Sequence, residues 1–275
     1  MRLQMPNLQT VEPLANPPIV EVACGCIFPP LAALDATLVG IYWNERRQQD
    51  YPRHELHPAI AGQPTSLSNQ LSFTVQEGVP PVRTWLVSQN EEFIVQIQSD
   101  RFYVNWRKRA GRYPRFTPDN GVKALTLSEF DRFRAFCARE FGQEPQPLQA
   151  QLTKVDHIIE RERWANFAQL AEMVPWLETF NKFSHSGDPQ IAMRFMEERE
   201  GGHLIVALDM LPPFATNPPA PGRILKIEAT ATKAVPGTHA LPAVFDRVNL
   251  EVNDVFGKLV PQPTRTKYFQ GKREG

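Results

Sequence analysis

Residues 101–116 read RFYVNWRKRAGRYPRF. In an extended chain successive side chains point to opposite faces. Phe102, Val104 and Trp106 therefore share one face, and Tyr103, Asn105 and Arg107 share the other. That alternation permits an exposed polar-aromatic face over a buried apolar one. Turn signals stand just upstream, at Ser99-Asp100 and at Gln89-Asn90-Glu91-Glu92. They separate strand candidates at 71–76, 84–88, 93–98 and 102–107. Strands joined by such short turns pair antiparallel.

Upstream of this sheet, Pro18 to Ile27 alternates in two, but both halves are small or apolar, which predicts a strand covered on both faces. Pro29-Pro30 ends it. Leu31, Leu34, Leu38, Ile41 and Tyr42 then recur at helical spacing and predict a helix from about Pro30 to Arg47. Residues 51–68 read as a proline-punctuated loop. Downstream, a helix is predicted over 127–141, with Thr126 and Glu129 as a capping box and Gly142 as its stop. Phe130, Phe133, Cys137 and Phe141 line its apolar face.

The second half has the same order. A strand covers 148–158, a helical segment 164–177 is interrupted at Pro175, and strands follow at 190–198, 204–210 and 224–232. Gly201-Gly202 fits a tight hairpin. Val244, Phe245, Val248, Val252, Val255, Phe256 and Leu259 stripe a last helix over 240–260. The chain thus divides into an N-terminal extension (1–15), two α+β halves (16–142 and 147–260) and a polar C-terminal tail (261–275). Each half runs strand, helix, several antiparallel strands, long helix. The fold class is α+β: antiparallel sheet, continuous or in two parts, with the long helices on one face and an internal duplication.

Composition limits function. The 275 residues carry 30 Lys+Arg and 30 Asp+Glu, a net charge of zero, which excludes a globally basic nucleic-acid coater. A content of 42% hydrophobic and 22% charged residues excludes wholesale disorder. Three cysteines form no disulfide framework and suit a reducing compartment. The N-terminus lacks the apolar core of a signal peptide, and no apolar run is long enough to span a bilayer. A soluble cytoplasmic protein without a membrane contact is expected.

No phosphate-binding glycine loop, dinucleotide fingerprint, nucleophile elbow or C-x-x-C pair occurs. No cofactor is expected. His54 and His57, in Arg53-His54-Glu55-Leu56-His57, are weak metal candidates, because no third ligand is placed by sequence. Asp156 and His157 are strand neighbours and cannot form a dyad. Ser184-His185-Ser186 lies in a loop with nothing to orient it. Cys24, Cys26 and Cys137 read as small buried hydrophobes. The proline-rich 211–221 segment, LPPFATNPPAP, is either a docking surface or a rigid cover for a sheet edge.

The concentrated signal is the stretch 101–116. Residues 101–115 hold six basic side chains and no acid, interleaved with aromatics. Basic groups neutralise phosphates and aromatic faces stack bases, so the composition suits single-stranded nucleic acid as well as protein. Alternatively its bases form a solvated loop, or pair with Glu91-Glu92 or Glu197-Glu198. The candidate binding residues are Tyr103, Asn105, Arg107, Lys108, Arg109 and Arg112.

Asn16-Pro17-Pro18-Ile19-Val20-Glu21, then Gln96-Ile97-Gln98, Phe102, Asn105-Trp106-Arg107 and Tyr113-Pro114 form an ordered set. It resembles a sporadically distributed family of bacterial proteins known mainly as uncharacterised, over about residues 10–260. The resemblance implies a bacterial accessory protein and carries over no catalytic residue. Patchy distribution often accompanies defence islands. The expected function is a non-enzymatic cytoplasmic binding protein that recognises a protein partner, or a second copy of itself, through the basic-aromatic strand. The alternatives are a nucleic-acid-binding component of a bacterial antiviral defence or toxin–antitoxin system, and a metal-dependent enzyme built on His54, Glu55 and His57.

Overall fold

A computed structural model describes residues 14–60, 82–110, 112–181 and 190–269. Nine strands form one sheet: β1 (Ile19–Ile27), β2 (Arg53–Pro58), β3 (Val82–Val87), β4 (Phe93–Gln98), β5 (Arg101–Arg107), β6 (Gln149–Ile159), β7 (Ala192–Arg199), β8 (Gly202–Leu211) and β9 (Ile224–Ala234). Their spatial order is β2-β3-β4-β5-β1-β6-β9-β8-β7, and every pair is antiparallel. The two halves meet at β1 and β6. In each, the first strand is central, the chain crosses to the edge strand, and the remaining strands meander inward until the last pairs with the first.

The helices occupy one side. After the first strand of each half comes a short helical segment: α1 (Ala36–Arg46) in one, α3 (Phe167–Met173) and α4 (Glu178–Asn181) in the other. After the last strand comes a long helix, α2 (Val122–Phe141) and α5 (Leu241–Leu259). Sidedness is written in β6, where Ala150, Leu152, Lys154, Asp156 and Ile158 are buried and alternate with half-exposed neighbours. On the helix side Phe28, Phe102, Phe130 and Phe133 form one aromatic cluster, with Phe102 and Phe133 centred 5.2 Å apart. Tyr42 brings α1 onto Phe133 and Phe136. Each such ring contributes about 1.5–3 kcal/mol by leaving water. Val244, Phe245, Val248 and Val252 are buried on α5, which lies over β6 and β9.

Several elements differ from expectation for local reasons. The helix expected from Pro30 begins only at Ala36, where the Asp35 carboxylate accepts from the Leu38 amide at 2.9 Å. Residues 53–58, expected as loop, are the edge strand β2; RHELHP has no apolar alternation and is held by backbone pairing to β3. Helix α2 begins at Val122, and no capping box forms. Thr126 Oγ1 instead donates to the Val122 carbonyl at 2.7 Å, and Glu129 turns to Arg46. The expected polar tail is helical over α6 (Gln262–Phe269); Phe269 is fully buried against Phe256, and its carbonyl accepts from the Asn16 amide. The strand candidate at 71–76 lies outside the described residues. Among those residues no helix is long and apolar enough to cross a membrane.

The two helices of the first half are locked by charge. Arg46 of α1 donates to Glu129 of α2 at 2.8 Å, and both are buried. Burial raises the Glu129 carboxyl above its ordinary range although Arg46 and Arg132 pull it down. Removing Arg46 leaves the buried Glu129 carboxylate with only the half-exposed Arg132, 3.1 Å away, which is a poor substitute for a buried partner. Arg46→Met should therefore lower stability by about 3 kcal/mol in urea unfolding. Arg46→Met/Glu129→Leu should recover most of that loss; an equal loss in both variants would contradict the role of the stranded carboxylate.

Candidate binding face

The helix-free side of the sheet carries a cleft of about 340 Å³. Eight of the nine strands line it, all but β2, so neither half builds it alone. The first half brings Glu21, Arg83, Trp85, Gln96, Arg101, Tyr103 and Asn105. The second brings Gln151, Thr153, Arg194, His203, Glu228 and Thr230.

Backbone geometry sets the floor. Gly25 of β1 stands opposite Tyr103 of β5. A Cβ at Gly25 would lie 2.0 Å from the Phe102 carbonyl oxygen and 2.5 Å from Tyr103 Cδ1, so glycine alone allows this approach. Across the junction of the halves, the Tyr103 hydroxyl donates to Gln151 Oε1 at 2.7 Å. Asn105 Nδ2 donates to Glu21 Oε1 at 2.8 Å, while the buried Asn105 Oδ1 has no hydrogen-bond partner. The Thr153 and Thr230 hydroxyls are 2.8 Å apart.

An aromatic–cationic stack forms one wall. The Trp85 ring lies 3.9 Å from the His57 ring, centroid to centroid. The guanidinium groups of Arg83 and Arg107 lie 5.2 and 5.7 Å from the same indole. Arg83 also donates to Gln96 Oε1 at 2.9 Å. Trp85 Nε1 and Arg83 Nε are buried without partners. The cleft thus offers spare donors and a spare acceptor amid fixed charges of both signs.

Three expected residues sit on this face as strand alternation requires: Tyr103, Asn105 and Arg107. Tyr103 and Asn105 are only 5% and 4% exposed, so they form the floor and do not protrude. Lys108, Arg109 and Arg112 do not join them, because the strand ends at Arg107 and the chain leaves the sheet. Arg109 reaches Glu91 at 3.6 Å, the pairing that a loop at these positions allows. Lys108 and Arg112 line a separate hollow beside Leu14 to Pro17. Sequence reading missed Arg83, Trp85, Gln96, Gln151, Thr153, Arg194, His203, Glu228 and Thr230. A signal existed in β6 and β9, where Gln149, Gln151 and Thr153 alternate with Ala150 and Leu152, and Glu228, Thr230 and Thr232 with Ala229 and Ala231.

The histidine pair separates. On β2, residues three apart face opposite ways: His54 stacks on Trp43 beneath the helices and His57 on Trp85 above the cleft. Among the described residues no group of three or more His, Cys, Asp or Glu side chains could hold a metal ion. Asp156 and His157 face opposite sides of β6, as strand geometry demands. Cys24, Cys26 and Cys137 are buried free thiols, and burial pushes Cys24 and Cys137 up to about 12. Ser184-His185-Ser186 lies outside the described residues. In the proline-rich 211–221 connection, Phe214 is 79% exposed. No family model matches the chain, and no curated protein or solved structure is significantly similar to it.

His157 reports on this face. Burial first, and then the charges of Lys226 and Lys108, lower its ring to about 4 from the ordinary 6.5. A base lowered in the folded state adds stability above its unfolded value and loses it as pH falls toward the folded one. Wild type should therefore lose more stability than His157→Gln between pH 6.5 and 4. Imidazole NMR shifts should show the ring neutral through pH 5.5; an inflection near 6.5 would mean a solvated ring.

Proposed function

We propose that this chain is a non-enzymatic binding module whose helix-free sheet face holds an extended polypeptide segment of a protein partner. One observation carries the reading: a cleft shared by both halves presents unspent hydrogen-bonding groups among charges of both signs. Glu21 and Glu228 stand in the same cleft as Arg83, Arg101 and Arg194. A polyphosphate strand laid there would meet carboxylates, whereas a polypeptide carries both signs, together with the amide groups that Trp85 Nε1 and Asn105 Oδ1 can use. The zero net charge points the same way, since nothing draws a polyanion from a distance. A cytoplasmic location belongs to the same proposal, supported by three unpaired thiols. The accessory role in bacteria that the family resemblance implies fits a module that recognises rather than reacts.

Phage-displayed linear peptides selected on the wild-type protein test this directly. The selected peptides should carry both charge signs. Their affinity should fall at least about tenfold in Trp85→Ala and in Arg194→Glu, and change less than about threefold between 50 and 200 mM salt. Single-stranded oligonucleotides should bind weakly throughout. Oligonucleotide binding that falls about a hundredfold over that salt range would replace the polypeptide by nucleic acid. Peptides indifferent to both substitutions would remove the cleft from recognition.

A further inference from the structure

A second pocket lies on the helix side of the sheet, beneath the long helix of the second half. It measures about 260 Å³. Its walls are Leu14, Tyr113, Phe116, Val252 and Phe256, and its floor is Lys154 and Asp156 of β6. Both floor residues are more than nine-tenths buried. Burial pushes Lys154 down to about 8 and Asp156 up to about 7, and each partly offsets the other.

Lys154 is held by the helix above it. Its Nζ donates to Asn249 Oδ1 and Asn253 Oδ1, both at 2.7 Å, one turn apart on α5. Those two bonds fasten the helix to the central strand. They leave the third ammonium donor unspent. Asp156 lacks any comparable anchor, and among the described residues nothing donates a hydrogen bond to its carboxylate. A carboxylate on a pocket floor with no donor beside it is an acceptor open to a ligand. The Tyr113 hydroxyl, on the same pocket's wall, is also buried without a partner. The rim is held in an unusual way. Arg115 has φ 67, in the left-handed region that few non-glycine residues adopt, and its carbonyl accepts from the Val122 amide at 2.9 Å. The start of α2 therefore pins the loop that carries Tyr113 and Phe116.

We propose that this pocket binds a small, electrically neutral cyclic molecule with adjacent hydrogen-bond acceptor and donor, of the amide or lactam class. The floor supplies the complement: one free N–H of Lys154 for the acceptor, and the Asp156 carboxylate for the donor. The buried charges of the pocket, Lys154 and Asp156, have opposite signs, and the third lining charge, Arg115, is exposed to solvent at the rim. An anion would therefore gain the ammonium but face the carboxylate, a cation the reverse, and a neutral ligand satisfies both. Rings of Tyr113, Phe116 and Phe256 favour a flat apolar body. The site is separate from the open cleft, because Lys154 and Thr153 are strand neighbours that face opposite ways.

The test uses the full chain at pH 7.5 with four probes of similar size: 2-pyridone, benzamide, benzoate and benzylamine, titrated by protein-observed NMR. The two neutral probes should shift resonances of Phe116, Asn249 and Asn253, and should bind at least about tenfold more tightly than the two charged ones. Lys154→Met/Asp156→Asn removes both charges together and should stay folded, with a melting temperature at or above that of wild type and neutral-probe binding lost. Phe256→Trp fills the pocket from its wall, leaves the floor intact and should also block the probes. Neutral probes that fail to bind at millimolar concentration would overturn the proposal. So would charged probes that bind equally well, or binding that survives both variants.

Discussion

The pairing of β1 with β6 is the constraint on which the rest depends. It sets Val22 against Lys154, Cys24 against Leu152 and Cys26 against Ala150. Because the side-chain period is two, this register decides which faces of the two halves become continuous. It places Val22, Cys24 and Cys26 on the same side as Ala150, Leu152 and Lys154, so both long helices cover one side of a single sheet. A slip of one residue would turn one half over. The helices would then lie on opposite sides, and neither a shared cleft nor a nine-strand face would exist.

Small side chains make that junction possible. Gly25, Cys24 and Cys26 keep the centre of the sheet thin, and Gly25 in particular admits Tyr103 across it. The Tyr103–Gln151 bond then ties the halves on the open side, while Lys154 ties β6 to α5 on the other. Adjacent residues of β6 thus serve different chemistry. Gln151 and Thr153 face the mixed-charge cleft, whereas Lys154 and Asp156 floor the pocket beneath α5.

Much of the frame was legible because burial is periodic. The strands β4, β5, β6, β8 and β9 and the helix α5 show alternation or a stripe strong enough to read from the residues. The division of β5 into Phe102, Val104 and Trp106 against Tyr103, Asn105 and Arg107 is what the structure contains. What escaped lacked that periodicity. The polar edge strand β2 is held by backbone bonds, which leave no mark on side-chain pattern. The segment 262–269 is anchored by Phe269, the buried Arg265 and the Tyr268 carbonyl, which accepts from Arg163, in an otherwise polar sequence. At Thr126 and Glu129 a sequence that fits a capping box is overridden, because a buried arginine on α1 offers Glu129 a stronger partner. The cleft was only half visible. Charge is concentrated at Lys108, Arg109 and Arg112, which leave the sheet, while the dispersed Arg83, Trp85, Thr153 and Thr230 converge only once the strands are ordered.

Amide hydrogen exchange under graded urea distinguishes one continuous sheet, with the proposed recognition face spanning it, from two sheets that only abut. On this account the β1, β5, β6 and β9 amides are the most protected and share one opening free energy and one urea dependence, because they open together by global unfolding. If the β1–β5 block and the β6–β9 block opened with different free energies and different urea slopes, the halves would be independent units. The continuous face, and the cleft that spans it, would then be contradicted.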